Sequence, residues 1–168
     1  KGVISSIVVK EFLSISGDGK ATIKELITKG KRTALHKELL EETHTDQLQL
    51  VLKIGEKLQL QEIGNHCKGT TFLNGNHLIT DKLHATFDFI SQNIEGLHFG
   101  RFDLRVSSIE NLYLGKDIEI MELNGANSEP AHIYDPNMKL FDAYKAVFNH
   151  WNNLFEVSIK NAERGHSY

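Results

Sequence analysis

The amino-acid sequence predicts an α+β fold, with a mixed, largely antiparallel sheet flanked by helices. Several β-branched or alternating runs are joined by turns too short for the crossover helix that parallel neighbours require. Apolar residues recur at helical spacing near residues 81–94 and 140–160. With 168 residues, 40% of them hydrophobic, the chain is long enough for a sizeable core, and we expect a single domain over residues 1–168, two small lobes being the upper limit.

Local signals predict the elements of the N-terminal half. Residues 3–12, VISSIVVKEF, are rich in β-branched residues and predict a strand that ends at the turn SGDGK. Thr22 and Glu25 have the spacing of a capping box, which predicts a short helix to about residue 28. The remaining predictions are a helix over 33–42, a strand near 57–63, and a loop, short strand and turn over HCKGTTFLNGN.

The C-terminal half is predicted from caps and periodicity. Thr80 caps a helix over 81–94, and strands follow over 97–106 and 117–124. The last helix, over 140–160, carries a broad apolar stripe that we expect to pack into the core. That stripe consists of Leu140, Tyr144, Val147, Phe148, Trp151 and Phe155.

Composition excludes several classes of partner. The net charge is −3, and the acids and bases are interspersed, without the basic block that a nucleic acid or an anionic membrane surface would attract. No apolar run approaches the ~18 residues of a membrane helix. The single cysteine, Cys67, cannot form an internal disulfide, and a cytoplasmic protein is expected. The chain starts at Lys1 without a methionine, which suggests either processing or a piece of a longer protein.

Two of the predicted strands carry polar side chains at every second position. FGRFDLRV places Arg101, Asp103 and Arg105 on one face, and EIMELN places Glu122 and Asn124 together. Antiparallel pairing of these strands sets Asp103 within reach of Glu122. Two carboxylates and an amide oxygen suit Mg²⁺, and an arginine two residues away is able to bind the same phosphate. Spacing alone favours the simpler explanation, an outward-facing ladder of charged side chains.

The segments GRFD and MELN resemble the C-terminal part of the ATP-grasp superfamily, which includes D-alanine:D-alanine ligases and ribosomal-protein glutamate ligases. The resemblance implies ATP and two Mg²⁺ ions as cofactors, with Mn²⁺ as an alternative metal. It makes Asp103 and Asn124 terminal metal ligands and Glu122 the carboxylate that bridges both ions. Arg101 is implied to be catalytic, stabilising the phosphoryl group and the tetrahedral intermediate, with Arg105 as a further candidate for binding phosphate.

A second segment, GNHCKGTT, resembles the Asn-x-x-basic-Gly segment of the glutamate ligases and places Asn65 and Lys68 near phosphate. A turn with a solvated lysine explains the same residues equally well. The neighbouring pair His66 and Cys67 suggests a thiol nucleophile only weakly, since adjacent strand residues point apart and no orienting partner is evident.

A wider resemblance covers nearly the whole chain, through FLSISGDGKATIKELI, EIGNHCKGTTFLNG, FGRFDLRV and ELNGANSEPAHIYDP. These segments are similar to bacterial ATP-grasp proteins described as D-alanine:D-alanine ligase-like or carboxylate-amine ligases, where they form the C-terminal portion. The resemblance implies the C-terminal lobe of the ATP-grasp fold. The glycine-rich loop and adenine-binding lysines of the other lobe are absent, so the expected chain holds half an active site and requires a missing N-terminal lobe.

The residues that would bind the amine acceptor are less defined by the sequence than the metal ligands. GANSEPAH replaces the Ser-Pro-Gly that follows the Glu-x-Asn strand in peptide ligases, so their acceptor pocket cannot be transferred. Glu129, His132 and Asp135 are candidates for lining such a pocket, and Pro130 and Pro136 make a purely structural loop an equal alternative.

Three functions therefore remain open from the sequence. The first is an ATP- and Mg²⁺-dependent ligase that joins a small-molecule or peptide carboxylate to an amine through an acylphosphate, with this chain alone inactive. The second is a non-catalytic binding or assembly module that keeps the lobe's fold. The third is a Mg²⁺-dependent phosphate hydrolase, which needs the two carboxylates and no amine pocket.

Overall fold

The computed structural model describes residues 2–62, 64 and 69–165, and these residues form an α+β fold, as predicted. The strands are β1 (Val8–Glu11), β2 (Ser14–Ser16), β3 (Lys57–Gln59), β4 (Thr71–Asn74), β5 (Arg101–Arg105) and β6 (Glu119–Asn124). The α-helices are α1 (Ile23–Lys29), α2 (Lys37–Thr43), α3 (Asp81–Gln92), α4 (Ile109–Leu114) and α5 (Leu140–Glu163).

The described strands form three small sheets, where the sequence predicted one mixed sheet. β1 pairs with β4, β2 with β3, and β5 with β6, and the last two pairs are antiparallel. The predicted strand over 3–12 is much shorter, covering Val8–Glu11, and a separate strand, β2, follows it. These strands are short, from three residues in β2 to six in β6.

The chain divides into two compact units, one over residues 9–73 and the other over residues 2–8 with 74–165. In the 9–73 unit, strands β2 and β3 and helices α1 and α2 enclose an aliphatic core. The buried members of this core are Leu13, Ile15, Ile23, Ile27, Leu40 and Leu60. Most residues of β1 and β4 also belong to this unit.

The capping box predicted for α1 is confirmed. The Glu25 backbone N–H donates to Thr22 Oγ1 over 3.3 Å, and the Thr22 N–H donates to Glu25 Oε2 over 2.9 Å. These bonds satisfy two amides that the first turn of a helix leaves free. The predicted helix over 33–42 begins as a 3-10 turn, Thr33–His36, before α2 starts at Lys37.

Residues 2–8 join the second unit through backbone donors. The Ile7 N–H donates to Asn76 Oδ1 over 2.8 Å, and the Ile4 N–H donates to the His84 ring over 3.1 Å. The predicted cap of α3 is confirmed, since the Leu83 N–H donates to Thr80 Oγ1 over 3.3 Å. Leu83 is buried at the inner face of that helix.

The prediction that the α5 stripe packs into the core is wrong. Of its six residues, Val147 alone is half-buried, and the other five are exposed. A different side of the helix is half-buried, formed by Ala143, Ala146, Val147, His150, Leu154 and Val157. Helical periodicity identified an apolar face correctly, but it does not say whether that face is covered by this chain.

Among the described residues, no helix combines the length and the apolar character that crossing a membrane requires.

Candidate functional site

The pairing of β5 with β6 brings the four main candidate residues together. The strands are antiparallel, with Asp103 opposite Glu122 and Arg101 opposite Asn124, which confirms the pairing predicted from the sequence. Directly opposed residues lie on the same face with Cβ atoms about 4.5–5.5 Å apart, and residues two positions apart on a strand share a face. All four side chains therefore leave one face at one end of the hairpin.

A bulge follows this group. Leu104 pairs with Ile120 and Arg105 with Glu119, so Met121 is the extra residue of β6. A bulge bends the strand and ends the regular face at that point. Arg105, which is exposed, consequently lies beyond the bulge with Glu119 as its cross-strand neighbour. It is the member of the predicted set that the pairing does not place beside the carboxylates.

Glycine allows the two strands to approach closely where the group begins. A Cβ added at Gly100, immediately before β5, would stand 2.7 Å from the backbone oxygen of Asn124. That distance is shorter than any ordinary contact of a Cβ atom, so a larger residue would push the strands apart. Gly100, in the segment FGRFD, thus sets the distance between the two strands that places Arg101 opposite Asn124.

The connection between the strands contains a helix that the sequence analysis missed, α4. Its signals are present, because the Asn111 N–H donates to Ser108 Oγ over 3.1 Å and Gly115 ends the helix with a φ of 66°. Asp117, also at positive φ, then accepts from Ser107 Oγ over 3.0 Å and from the Asn111 amide over 2.8 Å. These bonds close the connection and help to hold the strand pair in register.

Arg101 is held by two acceptors. Its Nε donates to Asp103 Oδ1 over 3.0 Å, and its Nη1 donates to the backbone oxygen of Glu129 over 3.3 Å. The first bond forms along β5 and the second reaches the loop after β6. The guanidinium is therefore fixed at the edge of the carboxylate pair, where its remaining N–H groups are suited to a planar anion.

Asn124 carries an unsatisfied buried atom. Its Nδ2 is buried and has no hydrogen-bond partner. The nitrogen and oxygen of an amide are assigned from their partners, so a half-turn of this amide would place Oδ1 in the same position. A buried polar group without a partner costs free energy, and a ligand of the amide oxygen would remove that cost. This observation fits a metal ligand at Asn124.

The fit to a metal depends on that amide. No group of three or more His, Cys, Asp or Glu side chains within the described parts of the chain is arranged to hold a metal ion. The carboxylates of Asp103 and Glu122 provide two hard oxygen donors, and Asn124 would supply the third. Mg²⁺ accepts such a set because it usually retains several waters and substrate oxygens. The residues present therefore fit Mg²⁺ bound with a phosphate better than a closed all-protein site.

The loop after β6 holds the candidate acceptor residues in different environments. Glu129 Oε1 accepts from the Tyr134 hydroxyl over 2.9 Å, and this bond raises the pKa of Tyr134. Tyr134 was not among the predicted residues, although it stands five positions from Glu129 in the same loop. Because both side chains are exposed, the pair presents a carboxylate and a phenol to solvent.

His132 is 7% exposed, and its Nδ1 is buried without a hydrogen-bond partner. Burial lowers the pKa of His132, and the nearby His150 lowers it further. The imidazole is therefore neutral at pH 7. The whole His132 side chain is buried whereas Glu129 is exposed, so His132 suits an acceptor pocket less well than Glu129 does.

Asp135 has a structural role in the same loop. Its Oδ2 accepts from the Asn74 N–H over 2.7 Å, and its Oδ1 accepts from the Asn137 N–H over 2.7 Å. The bond from Asn74, followed by that from Asn137, lowers the pKa of Asp135. Both oxygens are already engaged by backbone amides, which ties the loop to the start of the 74–165 segment.

The central part of the second predicted phosphate segment, GNHCKGTT, falls outside the described residues. Asn65 and Lys68 lie outside the described residues, as do His66 and Cys67. The 9–73 unit does contain an open cleft of about 500 Å³, lined partly by Lys29, Lys31 and Thr71. Of the sequence-predicted site residues that the structure describes, none lines this cleft.

No protein-family model matches the chain, and no curated protein matches it. The candidate site therefore stands on the geometry of the β5–β6 hairpin and the loop that follows it.

Proposed function

We propose that this chain is the C-terminal lobe of an ATP- and magnesium-dependent carboxylate-amine ligase that acts through an acylphosphate. One observation carries the proposal, the cross-strand register that gathers Arg101, Asp103, Glu122 and Asn124 on one face. A solvent-exposed ladder requires no particular register. The grouping of two carboxylates, an amide and an arginine at the end of one hairpin is the arrangement that metal-bound phosphate requires.

In this proposal Asp103, Glu122 and Asn124 hold the metal. Magnesium, when bound, neutralises the triphosphate of ATP and the charge that develops as its terminal phosphoryl group moves to the substrate carboxylate. The unsatisfied amide of Asn124 supports its role as a ligand. Glu122 is exposed beside Asp103 and offers two oxygens, so it suits the position between two ions.

Arg101 is the proposed catalytic residue. Its bonds to Asp103 and to the Glu129 backbone fix the guanidinium before any substrate arrives. A donor that is already oriented needs no reorganisation when negative charge develops on the transferred phosphoryl group or on the tetrahedral intermediate. The permanent charge of arginine keeps this role independent of pH. Arg105, beyond the bulge, is proposed to attract the phosphates from a greater distance.

The proposed enzyme needs a second ATP-grasp lobe to bind the adenine and ribose. The metal-bearing hairpin contacts only the phosphate end of the nucleotide, so this chain alone is expected to bind Mg-ATP weakly and to catalyse no ligation. Separating two half-sites removes their mutual effective concentration, a loss of roughly 10²–10⁴-fold in affinity. The amine enters from the loop after β6, where exposed Glu129 is the stronger candidate and buried His132 the weaker one.

A binding or assembly module is the competing function, and one observation favours it. The aromatic residues along α5 are exposed in a pattern that suits contact with another protein surface. The two functions are compatible, since that helix face and the β5–β6 face are formed by different residues.

Calorimetric titration with Mg-ATP tests the proposed site in this chain. We expect weak binding that requires Mg²⁺ and that disappears in Glu122→Gln, which removes one charge without changing side-chain size. Glu119→Gln is the matched control, because it removes the same charge from the same strand three residues from Glu122, roughly 10 Å along an extended strand.

Four outcomes would count against the proposal. Binding that is equal with and without Mg²⁺, or equal in Glu122→Gln and the wild type, contradicts the metal site. Saturable micromolar binding contradicts the half-site arrangement. Release of free phosphate by the chain alone favours a hydrolase instead of a ligase.

A further inference from the structure

Helix α5 carries an apolar face that is exposed in the described part of the chain. The helix has 24 residues, about 36 Å in length at 1.5 Å per residue. Six large side chains form a continuous row along it, which we call the outer stripe. Its members are Leu140, Tyr144, Phe148, Trp151, Phe155 and Ile159, with exposures of 73%, 68%, 66%, 68%, 66% and 43%.

The outer stripe lies on a different side of the helix from the half-buried residues. His150, on the half-buried side, packs its ring edge-on against Phe99 with centroids 5.0 Å apart. The α5 helix is therefore already attached to its unit by one face while the aromatic face remains free for a second contact. A patch of this length on a water-soluble surface is typical of a protein interface.

The spacing within the outer stripe is symmetric. Successive members are four, four, three, four and four residues apart, so the order is the same when read from either end. Reversal about the midpoint between Asn149 and His150 superposes each member on another. The superposed pairs are Leu140 with Ile159, Tyr144 with Phe155, and Phe148 with Trp151.

We propose that the outer stripe binds the outer stripe of a second copy of this chain, with the two α5 helices antiparallel about a two-fold axis. A two-fold interface requires a surface that is complementary to itself under rotation. The symmetric spacing meets that requirement, because each large side chain meets the opposite end of the same row. The smaller Leu140 and Ile159 then meet at the two ends, and the aromatic residues fill the centre.

Charges beside the outer stripe select the antiparallel direction. Lys145 and Glu156 flank the stripe on the same side, and in the antiparallel pair each Lys145 lies near Glu156 of the second copy. In the same arrangement Asp142 would meet Lys160 of the second copy farther from the axis, and Lys160 Nζ also lies 4.0 Å from Glu156 Oε2 of its own helix. In a parallel pair the two-fold axis would run along the helices and place each of these residues on the opposite side of the interface from its copy, so both opposite-charge contacts would be lost. Flanking charges set helix direction in this way in coiled coils.

The area is sufficient for a specific dimer. Aromatic side chains present ~150–250 Å² each, so four aromatics at two-thirds exposure, with the two aliphatic ends, offer roughly 500–800 Å² per copy. A standard interface buries about 800 Å² per partner. The neighbouring Phe141, at 81% exposure, extends the patch at one end.

Sedimentation velocity over a range of concentrations tests the dimer. We expect the wild-type chain to reach twice the mass of one copy, and Phe148→Glu to weaken association about 100-fold or more, since it places a charge at the centre of the interface on both copies. Because Phe148 is exposed in the single chain, the Phe148→Glu variant in dilute solution should have the circular dichroism spectrum and melting temperature of the wild type. Phe89→Glu, an exposed aromatic on α3, is the matched control and should still dimerise.

A charge exchange tests the direction of the helices. Lys145→Glu and Glu156→Lys should each weaken the dimer about tenfold, because two attractive pairs become repulsive. The double variant should restore wild-type association at low salt. Restoration requires that the two positions meet across the interface, and a general loss of charge would not produce it.

Trp151 is the chain's single tryptophan and reports the contact directly. Its emission should shift to shorter wavelength as the dimer forms and follow the sedimentation curve. A chain that remains monomeric at all concentrations, or a dimer unaffected by Phe148→Glu, would overturn the proposal and assign the outer stripe to a different partner. Failure of the double variant to restore the dimer would overturn the antiparallel geometry. None of these readouts involves nucleotide or metal, so they are independent of the ligase proposal.

Discussion

The two compact units differ in how many of their apolar residues they bury. The 9–73 unit is the smaller, yet seven of its described hydrophobic residues are buried, six of them in one aliphatic cluster. In the described part of the other unit, three are buried: Leu83, Leu112 and Ala131. The larger unit instead exposes most of its aromatic residues, including the outer stripe of α5.

The difference indicates which unit is self-sufficient. Burial of apolar surface is the main favourable contribution to folding, so the 9–73 unit contains its own source of stability. The larger unit contains the candidate site and the outer stripe, and it leaves apolar area available for contacts beyond the chain. The candidate ligands are accordingly carried by a two-stranded hairpin held by a bulge, a helix cap and a glycine contact, with little aliphatic core beneath it.

The largest expected effect comes from the core of the smaller unit. Ile27 is 0% exposed, and Ile27→Ala should lower the free energy of unfolding by about 2–5 kcal/mol, because it removes buried methyl groups and leaves a cavity. Phe89→Ala, which truncates a larger side chain that is 72% exposed in the other unit, should change it by less than about 0.5 kcal/mol. Urea unfolding followed by circular dichroism measures both values.

Equal losses of unfolding free energy in Ile27→Ala and Phe89→Ala would contradict the proposed difference in core stability between the two units. A loss confined to one of two separate unfolding transitions would sharpen it, since each unit would then have its own stability.

A smaller effect is expected from pH. Burial lowers the pKa of His132 in the folded protein, whereas a histidine in an unfolded chain has a pKa of about 6.5. Between these two pKa values the unfolded state binds more protons than the folded state. The free energy of unfolding of the larger unit should therefore fall as the pH is lowered from 7.5 to 5.5. His132→Gln should flatten this slope, whereas His77→Gln, at an exposed position, should leave it unchanged. A wild-type slope retained in His132→Gln would refute the assignment.

Local signals in the sequence predicted local structure well. The capping box at Thr22, the cap at Thr80 and the periodicity of α5 each identified a helix, because these patterns act within a few residues. The pairing of Asp103 with Glu122 was predicted as well, since alternation along two strands leaves few ways for polar residues to meet. The pair Ser108 and Gly115 carried an equally local signal for α4 that the sequence analysis did not use.

Predictions that depended on distant contacts were less successful. The periodicity of α5 could not show that the outer stripe is exposed, because covering a face depends on residues far away in the sequence. The bulge at Met121, which separates Arg105 from the carboxylates, is not visible in the alternation of EIMELN. The hydrogen bonds that occupy Asp135 also come from the backbone, at Asn74 and Asn137, so side-chain types alone did not reveal them.

The most direct test of the account is to locate a divalent metal on the folded chain. In a titration of the isotopically labelled protein with Mn²⁺, followed by two-dimensional NMR, paramagnetic broadening should first remove the amide signals of residues 101–104 and 121–125. In Glu122→Gln the same signals should persist at those Mn²⁺ concentrations, while Glu119→Gln should behave as the wild type. Broadening that begins within residues 9–73, or that is identical in Glu122→Gln and the wild type, would contradict the metal site on the β5–β6 hairpin.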